Sequence, residues 1–299
     1  MKVAVYISGM NAIGGVETFG INLCNRTGFD LIFDKAEFSQ LKKLKYNAYK
    51  LGHQKEYDVL IIGSAWGKNP DTVKAKKYVQ VIHADYKAYI EHWNFTYSKL
   101  PYTTHHVAVG NHVARQFEKV TGYKIDSVIN NLLEKSEPAQ KPDIPKEPLR
   151  LVTLSRFSKE KGFERMIDFA DKIDVPFVWD VYGDISTPYA KQIIPKMCKF
   201  NIKGITNTPK EVIPNYHYLV QLSDTEGFPY AVYEALQCKT SVISTDYPSV
   251  HELLRDGKNG YILQMDLSSL EKIKEVPIIK TFKEKSTEKD WFNFLNEIV

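Results

Sequence analysis

Residues 223–236 read SDTEGFPYAVYEAL, and no other part of the sequence says as much about architecture. The segment follows an apolar run, Tyr218–Leu222, with the length of a strand. It leads into Tyr230–Cys238, where apolar residues recur at helical spacing. A strand that passes through a short polar turn into a helix is the building unit of a parallel sheet covered by helices. Pro229 suits the first helical turn, where its missing N–H is not needed. The backbone around Gly227, Phe228, Pro229, Tyr230 and Ala231 would then form a helix N-terminus beyond the strand end, a place able to hold phosphate oxygens. Glu226 stands just before this helix and Glu234 about two turns into it. Carboxylates there can accept hydrogen bonds from hydroxyls on either side of a bound diphosphate. The spacing is equally met by an acidic cap at Glu226 and a solvated Glu234.

The same alternation runs through the chain. Candidate strands are Val3–Ser8, Leu31–Phe33, Val59–Gly63, Val79–His83, His106–Val109 and Ser127–Ile129, then Leu149–Ser155, Phe177–Tyr182, Tyr218–Leu222, Thr240–Ser244 and Gly260–Leu263. Helical patterns lie between them at Val16–Arg26, Asn111–Thr121, Phe163–Ile173 and Tyr230–Cys238. The reading is α/β, with two Rossmann-like domains facing across a cleft and ligands at the carboxyl ends of the strands. The boundary falls in Glu134–Pro148, where Pro138, Pro142, Pro145 and Pro148 stand among charged residues without apolar period. This gives a first domain over 1–137, a linker over 138–148 and a second domain over 149–280. The tail 281–299 is left to form a final helix whose apolar face, around Trp291, needs a surface to cover.

Bulk properties narrow the function classes. At 299 residues the chain is long enough for two domains. A net charge of +4 is too weak to argue for nucleic acid. Residues 1–148 hold 20 Lys/Arg against 15 Asp/Glu, and the remainder 20 against 21, so the excess positive charge sits in the first half. It suits an anionic partner, or an ordinary lysine-rich surface. Cys24, Cys198 and Cys238 match no metal spacing and read as reduced thiols. With no signal sequence and no apolar run of about 18 residues, a cytoplasmic protein is expected. Phe38–Leu51 reads as a basic amphipathic helix, packed on the first sheet or touching a membrane peripherally. The aromatic stretch Tyr86–Tyr102, with Tyr89, Trp93, Phe95 and Tyr97, lines an acceptor cleft or belongs to the core.

A second chemical signal is SRFSKEKG at 155–162, between a strand and a helix. Breaking a glycosyl–diphosphate bond builds negative charge on the leaving group, which a metal or fixed cations must stabilise. Arg156 and Lys161 are placed for that. Surface charge is the plain alternative. No Asp-x-Asp occurs, so a metal held by paired aspartates is not indicated. The third signal is Gly9–Glu17 after strand one, where Gly14 and Gly15 allow close backbone approach or a tight turn. Its spacing is not the dinucleotide fingerprint.

Taken together these motifs resemble the retaining glycosyltransferases of family 4, which have the GT-B fold. The E-x(7)-E element matches Glu226 and Glu234, the R-x(4)-K-G element Arg156, Lys161 and Gly162, and the G-G-x-E opening Gly14, Gly15 and Glu17. Residues 240–246 and 256–260 resemble the family's strand and closing loop, whereas Pro229, Tyr230 and Tyr247-Pro248-Ser249 depart from its small residues. The resemblance implies that Arg156 and Lys161 bind the donor diphosphate, Glu234 the ribose and Glu226 the transferred sugar. Gly14 and Gly15 would approach the donor from the first domain. It places His83 beside the sugar's C6 hydroxyl; without it, His83 is a strand-end histidine. It also carries the final helix back to the first domain. The expected donor is a nucleoside-diphosphate hexose, UDP-sugar in the first instance, with no cofactor and no metal. The expected acceptor is a glycan or lipid-linked hydroxyl. Rival readings are a sugar-nucleotide epimerase of the same fold and a nucleotide-sugar-binding protein without turnover. A dehydrogenase fits less well.

Overall fold

The computed structural model describes residues 1–10, 14–36, 41–53, 55–64, 70–93, 97, 100–135, 141–273 and 275–299. The chain divides into two compact units, Met1–Lys135 with Glu284–Val299, and Ser136–Lys283.

The first unit is built on a seven-stranded parallel sheet: β1 (Val3–Met10), β2 (Asp30–Ala36), β3 (Ala48–Lys50), β4 (Tyr57–Ser64), β5 (Ala75–Ile82), β6 (His105–Ala108) and β7 (Ser127–Val128). The spatial order is β3-β2-β1-β4-β5-β6-β7, so the chain reverses direction across the sheet between β1 and β4. β1 and β4 are almost wholly apolar and buried, as expected for central parallel strands covered on both faces. The Gly15–Thr27 helix packs on them, and the Glu288–Ile298 helix packs on that helix, with Trp291 against Phe19 at 6.1 Å. Trp291, Phe294 and Leu295 are buried, which gives the apolar face of the tail its cover. Thr287 and Asp290 form a capping box at the start of this last helix, satisfying two of its free amides. Arg26 fastens the tail. Its buried guanidinium binds Glu284 at 2.9 Å, Glu288 at 3.1 Å through Nε, and the carbonyl of Leu133 at 2.9 Å.

The second unit holds a six-stranded parallel sheet of β8 (Leu149–Leu154), β9 (Phe177–Tyr182), β10 (Asn201–Gly204), β11 (Tyr218–Gln221), β12 (Ser241–Thr245) and β13 (Gly260–Leu263). Its order is β10-β9-β8-β11-β12-β13, with the reversal between β8 and β11. Trp179, Phe163, Met166 and Leu222 lie in its core, and the Trp179 indole donates to Thr153 Oγ1 at 3.0 Å. Each fully buried side chain of this size stabilises by about 1.5–3 kcal/mol. Lys141, at the start of this unit, donates to Tyr216 O at 2.9 Å, and burial pulls its amine down to about 8.

Two findings differ from the sequence reading, and a third bears on a choice it left open. Of the amphipathic helix expected over Phe38–Leu51, only Leu41 is helical among the described residues, 42–47 runs through turns and bends, and residues 38–40 lie outside the described residues. Ala48–Lys50 is instead strand β3, paired with β2 through Leu31↔Ala48 and Phe33↔Lys50. Backbone pairing to an open sheet edge outweighs the helical spacing, and Leu51 packs under the sheet beside Tyr6 and Ile32. β3 and β10 are short edge strands with alternating polar residues, too weak a pattern to stand out. In the aromatic stretch, Tyr86 and Tyr97 stand edge-on to buried Phe117 at 5.3 and 4.9 Å, which is the core alternative; Phe95 lies outside the described residues.

Candidate active site

The reversal between β8 and β11 leaves a gap at the carboxyl ends of these strands, and two loops fill it. After β8 the chain runs through Ser155–Ser158, makes a 3-10 turn at Lys159–Lys161 and enters the Phe163–Lys172 helix at Gly162. Gly162 has φ +69°, and a Cβ there would lie 1.9 Å from the carbonyl oxygen of Leu222. Only glycine meets both demands. Phe157 is buried and stacks on Phe163 at 4.5 Å, anchoring the loop from below. The loop after β11 is stitched to it: the Asp224 amide donates to Glu160 O at 2.8 Å. Arg165 reaches across to Leu222 O, to Asp224 Oδ1 at 2.7 Å and to Met265 O at 2.8 Å.

Lys161 and Glu226 meet in this gap. Their ion pair measures 2.7 Å, with side chains 13% and 11% exposed. The same carboxylate oxygen, Oε1, also accepts from Gln221 Nε2 at 2.5 Å and from Ser223 Oγ at 2.8 Å. β12 and the 3-10 turn after it, Pro248–Glu252, hold the loop's backbone: Thr245 Oγ1 donates to Ser223 O at 2.5 Å and Ser249 Oγ to Glu226 O at 2.6 Å. A buried pair of this kind gains little net stability, because desolvation offsets most of the attraction. Its worth is that it fixes an ammonium and a carboxylate side by side at the edge of solvent.

Gly227, Phe228 and Pro229 lead from Glu226 to the Tyr230–Gln237 helix, with Pro229 at the N-cap. The Tyr230 amide bonds Phe228 O at 3.0 Å and the Tyr233 amide bonds Pro229 O at 3.1 Å, while the Ala231 and Val232 amides take no backbone acceptor among the described residues. Tyr230 packs edge-on to Phe228, and its hydroxyl is buried without a hydrogen-bond partner among the described residues. Burial, with the Glu234 carboxylate nearby, holds that phenol far above its usual range. Glu234 is half-buried on the helix. Arg156 is 63% exposed, its guanidinium 4.0 Å from Glu160. Of the four charged residues expected to act together, Lys161 and Glu226 are joined directly. Arg156 lies on the same loop with its head in solvent, and Glu234 on the adjoining helix.

The remaining predicted residues belong to the first unit. Gly14 is extended at the N-cap of the Gly15–Thr27 helix, directly above the Glu17 carboxylate, which an added Cβ would meet at 2.5 Å. Gly15 is exposed. Asn11–Ile13, between these glycines and β1, lie outside the described residues. His83 follows β5 and stands edge-on to Phe19 at 4.7 Å. Its Nε2 is buried with no partner among the described residues, and loss of water pushes its pKa down to about 3, so the ring is neutral. Two residues on, Asp85 is held by His112 at 2.8 Å and caps the next helix through the Ala88 amide. Burial opposes ionisation of Asp85, and these hydrogen bonds outweigh it and lower its pKa.

Sequence reading missed Gln221, Ser223, Thr245, Ser249 and Arg165. A signal existed for the first: a glutamine closing an otherwise apolar strand. Among the described residues no group of three His, Cys, Asp or Glu is placed to hold a metal, and no helix is long and apolar enough to cross a membrane.

Residues 134–276 match the family model described as Glycosyl transferases group 1. A 41.2 kDa protein in the cps region of Klebsiella pneumoniae is 22% identical over 247 residues, covering 80% of this chain. The chain spans about two thirds, 66%, of that relative's length. Among solved structures, Anabaena Alr3699/HepE in complex with UDP and glucose aligns with a TM-score of 0.73 at 13% identity, over 100% of this chain and 98% of the other. The lipopolysaccharide outer core galactosyltransferase WaaB aligns with a TM-score of 0.61 at 16% identity, over 100% of both chains. A glycosyltransferase from Rickettsia africae gives 0.65 at 15%, over 90% of this chain and 86% of the other. The fold, two parallel-sheet Rossmann-like halves, matches GT-B glycosyltransferase structures, and the half that carries Lys161 and Glu226 is the half that the family model matches.

Proposed function

We propose that the chain is a retaining glycosyltransferase of family 4 that moves a hexose-type sugar from a UDP-sugar to a hydroxyl of a glycan or lipid-linked acceptor, without a metal. The observation that carries the reading is the Lys161–Glu226 pair at the β8/β11 reversal, where open α/β sheets bind their ligands. The Ala231 and Val232 amides, at the N-terminus of the next helix, are donors suited to phosphate oxygens. Lys161 neutralises the diphosphate as the glycosidic bond breaks, and Arg156, free to swing in from solvent, adds a second cation. Glu226 accepts a hydroxyl of the transferred sugar and Glu234 the ribose. Retention follows if the acceptor attacks from the face that the diphosphate leaves, with the departing phosphate oxygen taking the acceptor's proton. No carboxylate nucleophile is then required. A neutral His83 is able to share a hydrogen bond with a sugar hydroxyl without adding charge.

UDP as the donor nucleotide is supported by the UDP complex of the Anabaena protein, and glycan synthesis by the cps-region relative and the outer core galactosyltransferase. The test is a panel of nucleoside diphosphates and their sugars in thermal unfolding, followed by UDP release with and without acceptor. The reading expects UDP and one UDP-hexose to raise the melting temperature. If no nucleotide moves it, and no UDP is released, the reading fails. Epimerised free sugar nucleotide formed without acceptor would replace it with the epimerase reading.

A further inference from the structure

Oε1 of Glu226 receives three donors, from Lys161, Gln221 and Ser223, whereas Oε2 takes none among the described residues. A carboxylate offers about two acceptor sites on each oxygen, so one oxygen is crowded while the other stays free. Gln221 carries a cost for its share. It ends β11, whose four residues are all buried, and its own Oε1 is buried without a partner among the described residues. A leucine would fill such a strand position without stranding a carbonyl oxygen. The orientation of the amide is not arbitrary, since only its NH₂ end is able to face a carboxylate. A half-satisfied glutamine beside a buried acid is the kind of local conflict that marks a functional role.

We propose that Gln221 and Ser223 are positioning residues that hold Glu226 through Oε1, so that Oε2 stays directed to substrate when Lys161 transfers its charge from Glu226 to the donor diphosphate. This rests on the transferase reading above. Without the two neutral donors, departure of the ammonium would leave a carboxylate only 11% exposed with no donor, and it would turn toward water or follow the lysine. With them, Lys161 changes partner and Glu226 keeps its place. Thr245 and Ser249 support the same end by fixing the carbonyls of Ser223 and Glu226.

The experiment uses the full chain and two readouts. The first is a melting-temperature cycle of Lys161→Met, Gln221→Leu and the double variant. The proposal expects the double variant to lose more than the sum of the single changes, by about 2 °C or more, because together they strip two of the three donors. Strict additivity overturns it. The second readout is turnover of a UDP-sugar beside affinity for UDP. Gln221→Leu and Ser223→Ala are each expected to lower kcat at least about tenfold while the Kd for UDP moves less than about threefold. Gln221→Glu, which keeps the shape and adds a second carboxylate, is expected to fall as far. Wild-type kcat in Gln221→Leu overturns the proposal and marks Gln221 as structural. If the wild-type chain consumes no nucleotide sugar, the transferase reading falls, and the melting cycle alone decides whether Gln221 and Ser223 hold Glu226.

Discussion

At the carboxyl ends of β1 and β5 the first unit presents Gly14, Gly15 and a neutral His83; at the ends of β8 and β11 the second presents an ammonium joined to a carboxylate. The two sheets run in the same order around their reversals, so the scaffold alone does not explain the contrast. What differs is how each loop's backbone is secured. In the second unit Gly162, Arg165, Thr245 and Ser249 lock two loops together, and the locked loops hold charge in place. In the first, Gly14 and Gly15 carry no side chain, the neutral His83 lies against Phe19, and the ionised Asp85 is taken up by His112 and the Ala88 amide. One framework thus supplies close backbone approach and a neutral imidazole in one unit, and an ammonium joined to a carboxylate in the other.

The contrast can be broken most strongly at Lys161. Lys161→Ala is expected to lower kcat by about 10²–10³, because no other buried cation stands beside Glu226 among the described residues to take up leaving-group charge. Steady-state transfer assays check this. Glu226→Gln is expected to cost transfer far more than UDP affinity, which titration of UDP into the variant measures. Equal losses would mean that Glu226 does not touch the sugar. Gly162→Ala should destabilise the second unit by at least about 3 kcal/mol, since a Cβ at 1.9 Å from Leu222 O and a positive φ act together. Denaturant unfolding reads it, and the first unit's transition should not move.

Two changes sharpen the picture of the first unit. Arg26→Met removes the one partner shared by Glu284, Glu288 and Leu133 O and is expected to cost about 2–3 kcal/mol there. Burial opposes ionisation of Glu288, but its own backbone amide and Arg26 outweigh this and lower its pKa. That stability is present above the unfolded carboxylate range and is lost as pH falls through the lowered pKa. The smallest effect belongs to His83. Its folded pKa is about 3, against an ordinary 6.5, so the unfolded chain binds a proton first as pH falls. Stability is full above about 6.5 and declines toward 3. Between pH 7 and 5 the melting temperature of the first unit should drop by about 5 °C, and His83→Asn should flatten that decline.

Much of this was legible in the sequence, for stated reasons. Strands such as Phe177–Tyr182 and Gly260–Leu263 are short, apolar and bounded by turn residues, and they appear where the pattern places them. Asn111–Thr121 is bounded by Gly110 and Gly122, and its helix has those limits. Lys161 and Glu226 stood out because each lies on a polar turn that leads from an apolar run into a helical pattern, where a charge can meet a ligand at the strand ends. β3 was hidden because Tyr46–Leu51 satisfies helical spacing by chance, and only the free edge of β2 shows which pairing wins. Gln221 was hidden because hydrogen bonding to a residue five positions on depends on how the loop folds back, which no periodicity records.

In the proposed reaction Lys161 is the cation for a diphosphate held beside Glu226. Calorimetric titration of UDP into the wild-type chain and into Lys161→Met tests it most directly. The account predicts saturable binding to the wild type and at least about tenfold weaker binding to the variant, with both chains equally folded. Equal affinity in the two, or no binding to the wild type, would contradict it.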